Sequence, residues 1–493
     1  MNQQQSTPQL ALQQSVPLVK EVRRFPREDL IVSKFGGTSL KDAQAILRSA
    51  SLVARDPSNC LVVVSATAGT TDQLTELATV AIQEIKAAKK IIESIGNRHY
   101  QIIEELEQNS VVANSGADSR VSIKSILLEV QNLCQGIFYL QDCSEKTQDQ
   151  LLAAGERLSA QIFALALGTI TSDSVEVVDA RQLIKTDQRF GQAAPLYDEV
   201  SRRTKLILEK RLEQGKQRIV TQGFIGSTAQ GATTTLGRGG SDFSAAILAE
   251  ALQASRLKVF TDVAGIATTD PRLVPHAKFI NSISFDEAAE LSVFGAKVLH
   301  PSTLVPAIRS NIPVEVNSSI EHGHRGTLIE TSVENPPLVR AISLKSNQSI
   351  LTISNPKMLE AWGFLSRIFA VFAKHRVSVD LVTTSEISIA INLNDSDIQN
   401  KALIQELETL GDIDIEIGLA IIALVGNSIT HTSGLARYLF TELEDINIRM
   451  ICMGASSHNV CFLVDEEVAP EVVRRLHRVF LENKPTGEDF ACA

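Results

Sequence analysis

A chain of 493 residues is too long for one ordinary compact core, so it divides into two to four domains. Apolar residues at 44%, charged residues at 21%, 15 Pro and 27 Gly describe a globular protein and exclude disordered, collagenous and low-complexity classes. Lys+Arg at 47 against Asp+Glu at 57 gives a net charge of −10, which repels a polyanion and argues against nucleic acid as a partner. The six cysteines (Cys60, Cys134, Cys143, Cys452, Cys461 and Cys492) form no C-x-x-C pair and have no His at ligand spacing. They read as reduced apolar filler in a cytoplasmic protein. The longest apolar stretch, Leu419 to Val425, falls far short of a membrane span, and no signal-peptide apolar region is present.

In chain order, residues 1 to about 28 are Gln-rich and aperiodic and read as a mobile tail. From Leu30 short β-rich runs alternate with helical stretches: Leu30–Phe35, Leu61–Val64, Val175–Val178, Arg218–Thr221, Lys258–Thr261 and Val314–Val316. That alternation predicts an α/β domain over residues 29–318, an open and mostly parallel sheet sandwiched by helices. The block from Thr71 to Leu167 reads as a helical lobe over the strand ends. After Ser318 periodicity is lost, and Asn335-Pro336-Pro337 follows, so 319–340 is predicted to be a linker. The remainder holds a weak repeat. Leu351, Gly363 and Ile389 recur as Ile422, Gly434 and Val460, each copy reading strand, helix, strand, strand, helix. This predicts two α+β modules, at 341–415 and 416–484. Their polar loops, Ser354–Gly363 and Gly426–Gly434, are natural places for small-molecule sites.

Three segments carry chemistry. Lys34-Phe35-Gly36-Gly37-Thr38-Ser39 follows the first strand: glycines allow close backbone approach, a helix start favours an anion, and Lys34 adds a full charge. The lysine precedes the glycines, so this is not the Walker order. The run from Gly231 to Asp242, with Arg238 among glycines before a helix at Phe243–Leu252, presents a guanidinium able to grip a carboxylate or phosphate through two hydrogen bonds. Ser65-Ala66-Thr67-Ala68-Gly69-Thr70-Thr71 follows the second strand on the carboxyl edge, where open α/β sheets place ligands. Thr261-Asp262, Asp270-Pro271-Arg272 and Phe294-Gly295-Ala296-Lys297-Val298 add charge near other element ends; each is equally compatible with ordinary turn or surface chemistry.

These motifs, with Gly223-Phe224-Ile225-Gly226 and Leu299-His300-Pro301, resemble the amino-acid kinase family, and within it the aspartokinases of the lysine-sensitive monofunctional bacterial type. The similarity runs from about Ile31 to Phe480, and the C-terminal repeats resemble ACT modules of βαββαβ type. No homoserine dehydrogenase domain is expected after Ala493. The resemblance implies transfer of the γ-phosphoryl group of ATP, accompanied by Mg²⁺, to the side-chain carboxylate of L-aspartate, the first step towards lysine, threonine and methionine. By similarity Lys34, Arg238 and Asp242 are catalytic. Lys34, Phe35, Gly36, Gly37, Thr261, Asp262, Ala267, Arg272, Lys297 and Val298 contact the nucleotide. Ser65, Thr71, Glu156, Arg238, Gly239, Gly240 and Ser241 contact aspartate, with Glu156 on its ammonium group and Arg238 on its α-carboxylate. No protein-only metal cage is implied. Ala267 stands where relatives tend to have Tyr after Gly-Ile, so a ring that could flank the nucleotide is missing.

An L-lysine site is implied at Met358, Gly363, Phe364, Leu365, Ser378, Val379, Asp380, Thr384, Ser385 and Glu386, and association into a homodimer or tetramer through the ACT modules. Glu360-Ala361-Trp362 departs from the polar His-Ser pattern of relatives. Two alternatives stand beside this reading: ACT repeats that serve only as a dimerisation platform, and a non-catalytic amino-acid sensor built on a vestigial kinase fold.

Overall fold

The computed structural model describes residues 30–108, 116–213, 217–295, 301–320, 326–359 and 362–483. The expected tail at 1–28 therefore lies outside the described residues.

The first part of the chain runs β1 (Ile31–Phe35), α1 (Ala43–Ala54), β2 (Asn59–Val64), α2 (Thr70–Gln83), α3 (Ile85–Gln108), α4 (Ala117–Leu140), α5 (Glu145–Ile170), β3 (Ser174–Val178), α6 (Ala180–Leu183), α7 (Tyr197–Glu213) and β4 (Gln217–Gln222). It continues through β5 (Ile225–Ser227), β6 (Thr233–Thr235), α8 (Gly240–Leu252), β7 (Arg256–Thr261), β8 (Ser282–Ser284), α9 (Phe285–Val293), α10 (Pro301–Arg309), β9 (Val314–Ser318) and β10 (Thr327–Glu330). Eight strands form one sheet in the order β3-β4-β2-β1-β7-β9-β10-β8, parallel except where β10 meets β9. All six predicted strands are present. The central strand β2 was readable because it is buried on both faces: Val62 and Val64 pack against α1 to α5, while Leu61 and Val63 pack towards α8, so its run from Leu61 to Val64 is continuously apolar.

β10 corrects the predicted linker. Residues 327–330 return to the sheet, pairing with β9 and β8, so the first domain extends past Ser318. These are four-residue and three-residue strands, too short for a period-2 pattern to stand out.

The second part runs β11 (Val339–Ser354), α11 (Phe364–Lys374), β12 (Val382–Thr384), β13 (Ser388–Asn394), α12 (Asp395–Ile398), α13 (Lys401–Glu408), β14 (Asp412–Gly426), α14 (Leu435–Thr441), β15 (Met450–Met453), β16 (Asn459–Asp465) and α15 (Ala469–His477). Its six strands form a single sheet, β12-β13-β11-β14-β16-β15. The repeat is real: Gly363 and Gly434 both cap a helix from the left-handed region, with φ of 76° and 80°. The tandem boundaries are not. β11 and β14 are long strands that each serve both modules, Gln348–Ser354 pairing with β13 and Ala341–Lys345 with the second half of β14. One module is therefore continuous from about residue 348 to 416. The other takes its fourth strand from Val339–Lys345, upstream of its neighbour.

α5 is the one described helix long and apolar enough to cross a membrane, yet 72% of that apolar window is buried inside the fold. It is a core helix, and its polar exceptions face the site.

Candidate active site

A cavity of about 1480 Å³ opens at the carboxyl ends of β1 and β2, walled by α5 and by the turn that begins α8. Lys34, Arg238 and Glu156 all line it. That convergence is what the sequence argument requires.

Lys34 stands on β1, the fourth of eight strands, only 8% exposed, and its Nζ lies 2.5 Å from Asp242 Oδ1. Asp242 reaches it because α8 begins earlier than predicted, at Gly240 rather than Phe243. Gly239 takes φ 71°, the left-handed conformation a glycine adopts without cost, and sets Asp242 in the first helical turn. Arg238, immediately before, is exposed to the cleft, and Ser241 lines it as well.

The glycine turn after β1 differs from expectation. A short 3₁₀ turn, Gly37–Leu40, follows the strand, and α1 starts only at Ala43, capped by Asp42. The dipole of α1 therefore does not begin at the Lys34 turn. The Gly36 amide is directed at the Phe260 carbonyl, 3.4 Å away, so Gly37 is the glycine that lines the cleft. A Cβ at Gly37 would approach Ala66 O to 3.1 Å, a tight contact with the facing backbone. Phe35 is corrected too: its ring is fully buried, stacked on Phe260 at 4.6 Å, and belongs to the core rather than to a ligand.

Glu156 carries the clearest signal of an expected partner. It is 3% exposed; Oε1 accepts a hydrogen bond from the Ala66 amide at 3.2 Å, and Oε2 has none. Burial pushes its carboxyl up to about 8. A buried carboxylate oxygen without a partner at a cleft wall is suited to an ammonium group brought by a ligand. The Ser65–Thr71 segment is fixed around it. Ser65 O accepts from Ser159 Oγ at 2.6 Å, and Thr67 Oγ1 contacts both Thr70 Oγ1 (2.6 Å) and His99 Nε2 (3.3 Å). His99 Nδ1 lies 2.7 Å from the Ile95 carbonyl, and burial lowers the ring to about 4, so it stays neutral and can accept from Thr67.

The proposed nucleotide residues are less gathered. Thr261 ends β7, beside β1 and one residue beyond the Phe35–Phe260 pairing, and Asp262 follows it, with Thr261 Oγ1 donating to Asp262 at 3.1 Å. Arg272 is spent on Asp270 of its own turn, at 2.6 Å. Ala267 bridges to Phe279, whose ring is 41% exposed. Lys297 and Val298 lie outside the described residues. No group of three or more metal-ligating side chains occurs among the described residues.

In the regulatory half, Gly363 and Leu365 open α11, whereas Phe364 points into the module core at 4% exposure. Asp380 pairs with Lys345 at 2.5 Å; Thr384, Ser385 and Glu386 are exposed at the end of β12, the sheet edge. Ser378 lines the mouth of the kinase cleft with Arg376 and Val377, a contact the sequence did not suggest. Also missed was Asp149, buried at 1% on the cleft wall, although it lies seven residues before Glu156 on one helix face.

Residues 29–318 match the amino acid kinase family and residues 422–480 an ACT domain. The lysine-sensitive aspartokinase 3 of Escherichia coli is 43% identical over 92% of this chain and all of its own length. The chloroplastic aspartokinase 1 of Arabidopsis thaliana is 34% identical, over 93% of this chain and 81% of the relative. Among solved structures, E. coli aspartokinase III with aspartate and ADP superposes with a TM-score of 0.79, covering 91% of this chain and 99% of that one. The same enzyme with lysine and aspartate also gives 0.79, covering 92% of this chain and all of that one. With the cleft, the eight-stranded sheet and the ACT sheet in one chain, the protein belongs to the aspartokinases of the amino acid kinase family.

Proposed function

We propose that this aspartokinase holds the γ-phosphate of ATP against the side-chain carboxylate of L-aspartate between Lys34 and Arg238. The observation that carries this reading is the shared cleft of Lys34, Arg238 and Glu156. Glu156 takes the ammonium group of aspartate and Arg238 its α-carboxylate, which leaves the side-chain carboxylate directed towards Lys34. That carboxylate is ionised near neutrality, with a usual pKa of about 3.9, so no base is needed. One of its oxygens attacks the γ-phosphorus, the bond to the bridging oxygen breaks, and ADP leaves with the electron pair; no proton moves. Lys34 offsets the charge that accumulates between the two anions, and Asp242 holds the Lys34 ammonium in place. Mg²⁺ would arrive with ATP and supply further charge neutralisation on its phosphates, and Asp242 would be the carboxylate available to its hydration shell. Thr261, Asp262, Arg272, Lys297 and Val298 form the nucleotide side.

Lysine is the proposed regulator, bound between the amino end of α11 and β12. The E. coli relative of known structure was solved with lysine, and Asp380 here already receives an ammonium, that of Lys345. Assembly through the ACT sheet is supported by its open edges, β12 and β15, and by exposed Trp362, Ile417 and Ile451. Cys134, Cys143, Cys452 and Cys461 are thiols, in keeping with a cytoplasmic place in lysine, threonine and methionine synthesis.

The test is trapping of the acyl phosphate with hydroxylamine in the presence of ATP, Mg²⁺ and aspartate. The native chain gives hydroxamate. Lys34→Met lowers kcat by roughly 10³-fold or more while the melting transition stays cooperative, and near-normal turnover would remove Lys34 from the mechanism.

A further inference from the structure

We infer that Asp149 is a positioning residue that fixes the spacing between the two groups which grip the amino acid, Arg238 and Glu156. The inference deepens the reading above and rests on its assignment of those two residues to the substrate.

Asp149 and Glu156 lie on one face of α5, two turns and about 10.5 Å apart along the helix axis. Both are buried, at 1% and 3% exposure, and both line the cleft. Glu156 leaves an oxygen open; Asp149 leaves none. Its Oδ2 accepts from the Thr235 amide at 2.9 Å and its Oδ1 from Thr235 Oγ1 at 2.7 Å. The Gly191 amide is shared between the two oxygens, at 3.1 and 3.0 Å. Every one of these donors is uncharged, and each belongs to a segment that lines the cleft.

Thr235 is the last residue of β6, three residues before Arg238. Gly191 belongs to the loop against which the Arg238 turn packs: a Cβ at Gly237 would sit 3.1 Å from Gln192 and 3.4 Å from Gly191 O. Asp149 therefore fastens the Arg238 turn and its supporting loop to the same rigid helix that carries Glu156. Two poles fixed to one helix hold the α-carboxylate and the ammonium of an amino acid at a set separation. The direction of the side-chain carboxylate then follows, and small errors in that direction are costly for an in-line transfer.

A carboxylate is needed here for its acceptors rather than its charge. Asparagine can keep its oxygen towards the two amides and donate from its nitrogen to the Thr235 hydroxyl, which also accepts. Alanine leaves two buried amides without partners.

Steady-state kinetics of Asp149→Ala, Asp149→Asn and Arg238→Ala in the full-length chain test this, with the KM for ATP as an internal control of folding. The expected result for Asp149→Ala is a KM for aspartate raised roughly tenfold or more, an ATP KM within about twofold of native, and recovery to within about threefold in Asp149→Asn. If the alanine variant does not fold, Thr235→Val, which removes only the hydroxyl bond, is expected to raise the aspartate KM severalfold at unchanged ATP KM. Equal shifts in both KM values, no shift in either, or an Asn variant as impaired as Ala would overturn the inference. An Arg238→Ala effect without an Asp149→Ala effect overturns this inference alone, and silence in both overturns the substrate assignment beneath it.

Discussion

Glu156 and Asp149, on the side of the cleft proposed for aspartate, are buried and tied down, Glu156 to the Ala66 amide and Asp149 to Thr235 and Gly191, while Asp262 and Arg272, proposed for the nucleotide, are exposed and satisfied locally. Arg272 makes the contrast concrete: its side chain is 89% exposed and turned onto Asp270. The difference follows from what each ligand brings. Aspartate is small and needs its orientation supplied by the protein, whereas a nucleotide carries its own charge, metal and surface area. A pre-organised pocket for the first and a looser shelf for the second divides the work accordingly.

Substitutions at the two ends should therefore differ in kind and in size. Glu156→Gln is expected to raise the KM for aspartate roughly thirtyfold with the ATP KM nearly unchanged, because a buried amide cannot neutralise an ammonium. An unchanged aspartate KM would move the ammonium site elsewhere. The pH dependence sharpens the same point. With the Glu156 carboxyl near 8 in the empty site, an arriving ammonium must displace its proton. Affinity for aspartate should then fall by about tenfold per pH unit below 8, and calorimetry in buffers of different ionisation enthalpy should register one proton released. The sign for stability is opposite. The group is protonated in the fold and ionised in the unfolded chain above about 4.5, so the empty protein loses stability as pH rises from 4.5 through 8. The smallest effect is expected at the exposed end: Arg272→Ala should raise the ATP KM by about two- to threefold and leave aspartate untouched. A larger ATP effect than that of Glu156→Gln on aspartate would reverse the comparison.

The two ACT modules show a similar division. The module completed by β16 and α15 is fastened to the kinase domain: His477 Nε2 lies 3.0 Å from Thr268 Oγ1, Asn459 donates to Glu290 at 2.6 Å, and the Ile342 amide donates to the Thr268 carbonyl at 2.8 Å. The module containing Asp380 and Glu386 meets it at the cleft mouth, through Arg376 to Ser378 and an exposed Arg376–Glu145 pair at 3.7 Å.

Much of this was readable without coordinates. Six parallel strands announced themselves as short β-branched runs between helical stretches, most cleanly β2, where burial on both faces leaves Leu61–Val64 without a polar break. Lys34 and Arg238 stood out together: one glycine turn beside a cation is ordinary structure, but two in one α/β domain suggest two anions facing each other. Glu156 was legible only through family resemblance, since a carboxylate in an amphipathic helix looks like a solvated face, and its burial comes from the lobe packed around it. Asp149 offered only its place seven residues before Glu156; its partners lie 42 and 86 residues away.

What the sequence settled by itself was local: which runs are strands, which glycines turn the chain, and that two ACT-like copies follow one kinase domain. Tertiary structure alone decided the rest. It brought β10 back into the sheet, threaded one ACT module through the other by way of β11 and β14, and withdrew Phe35 into the core. It also joined Asp149 to the Arg238 turn. The physical reason is the same in each case: hydrogen bonds and burial between distant segments depend on how layers stack, and no pattern within a dozen residues records that.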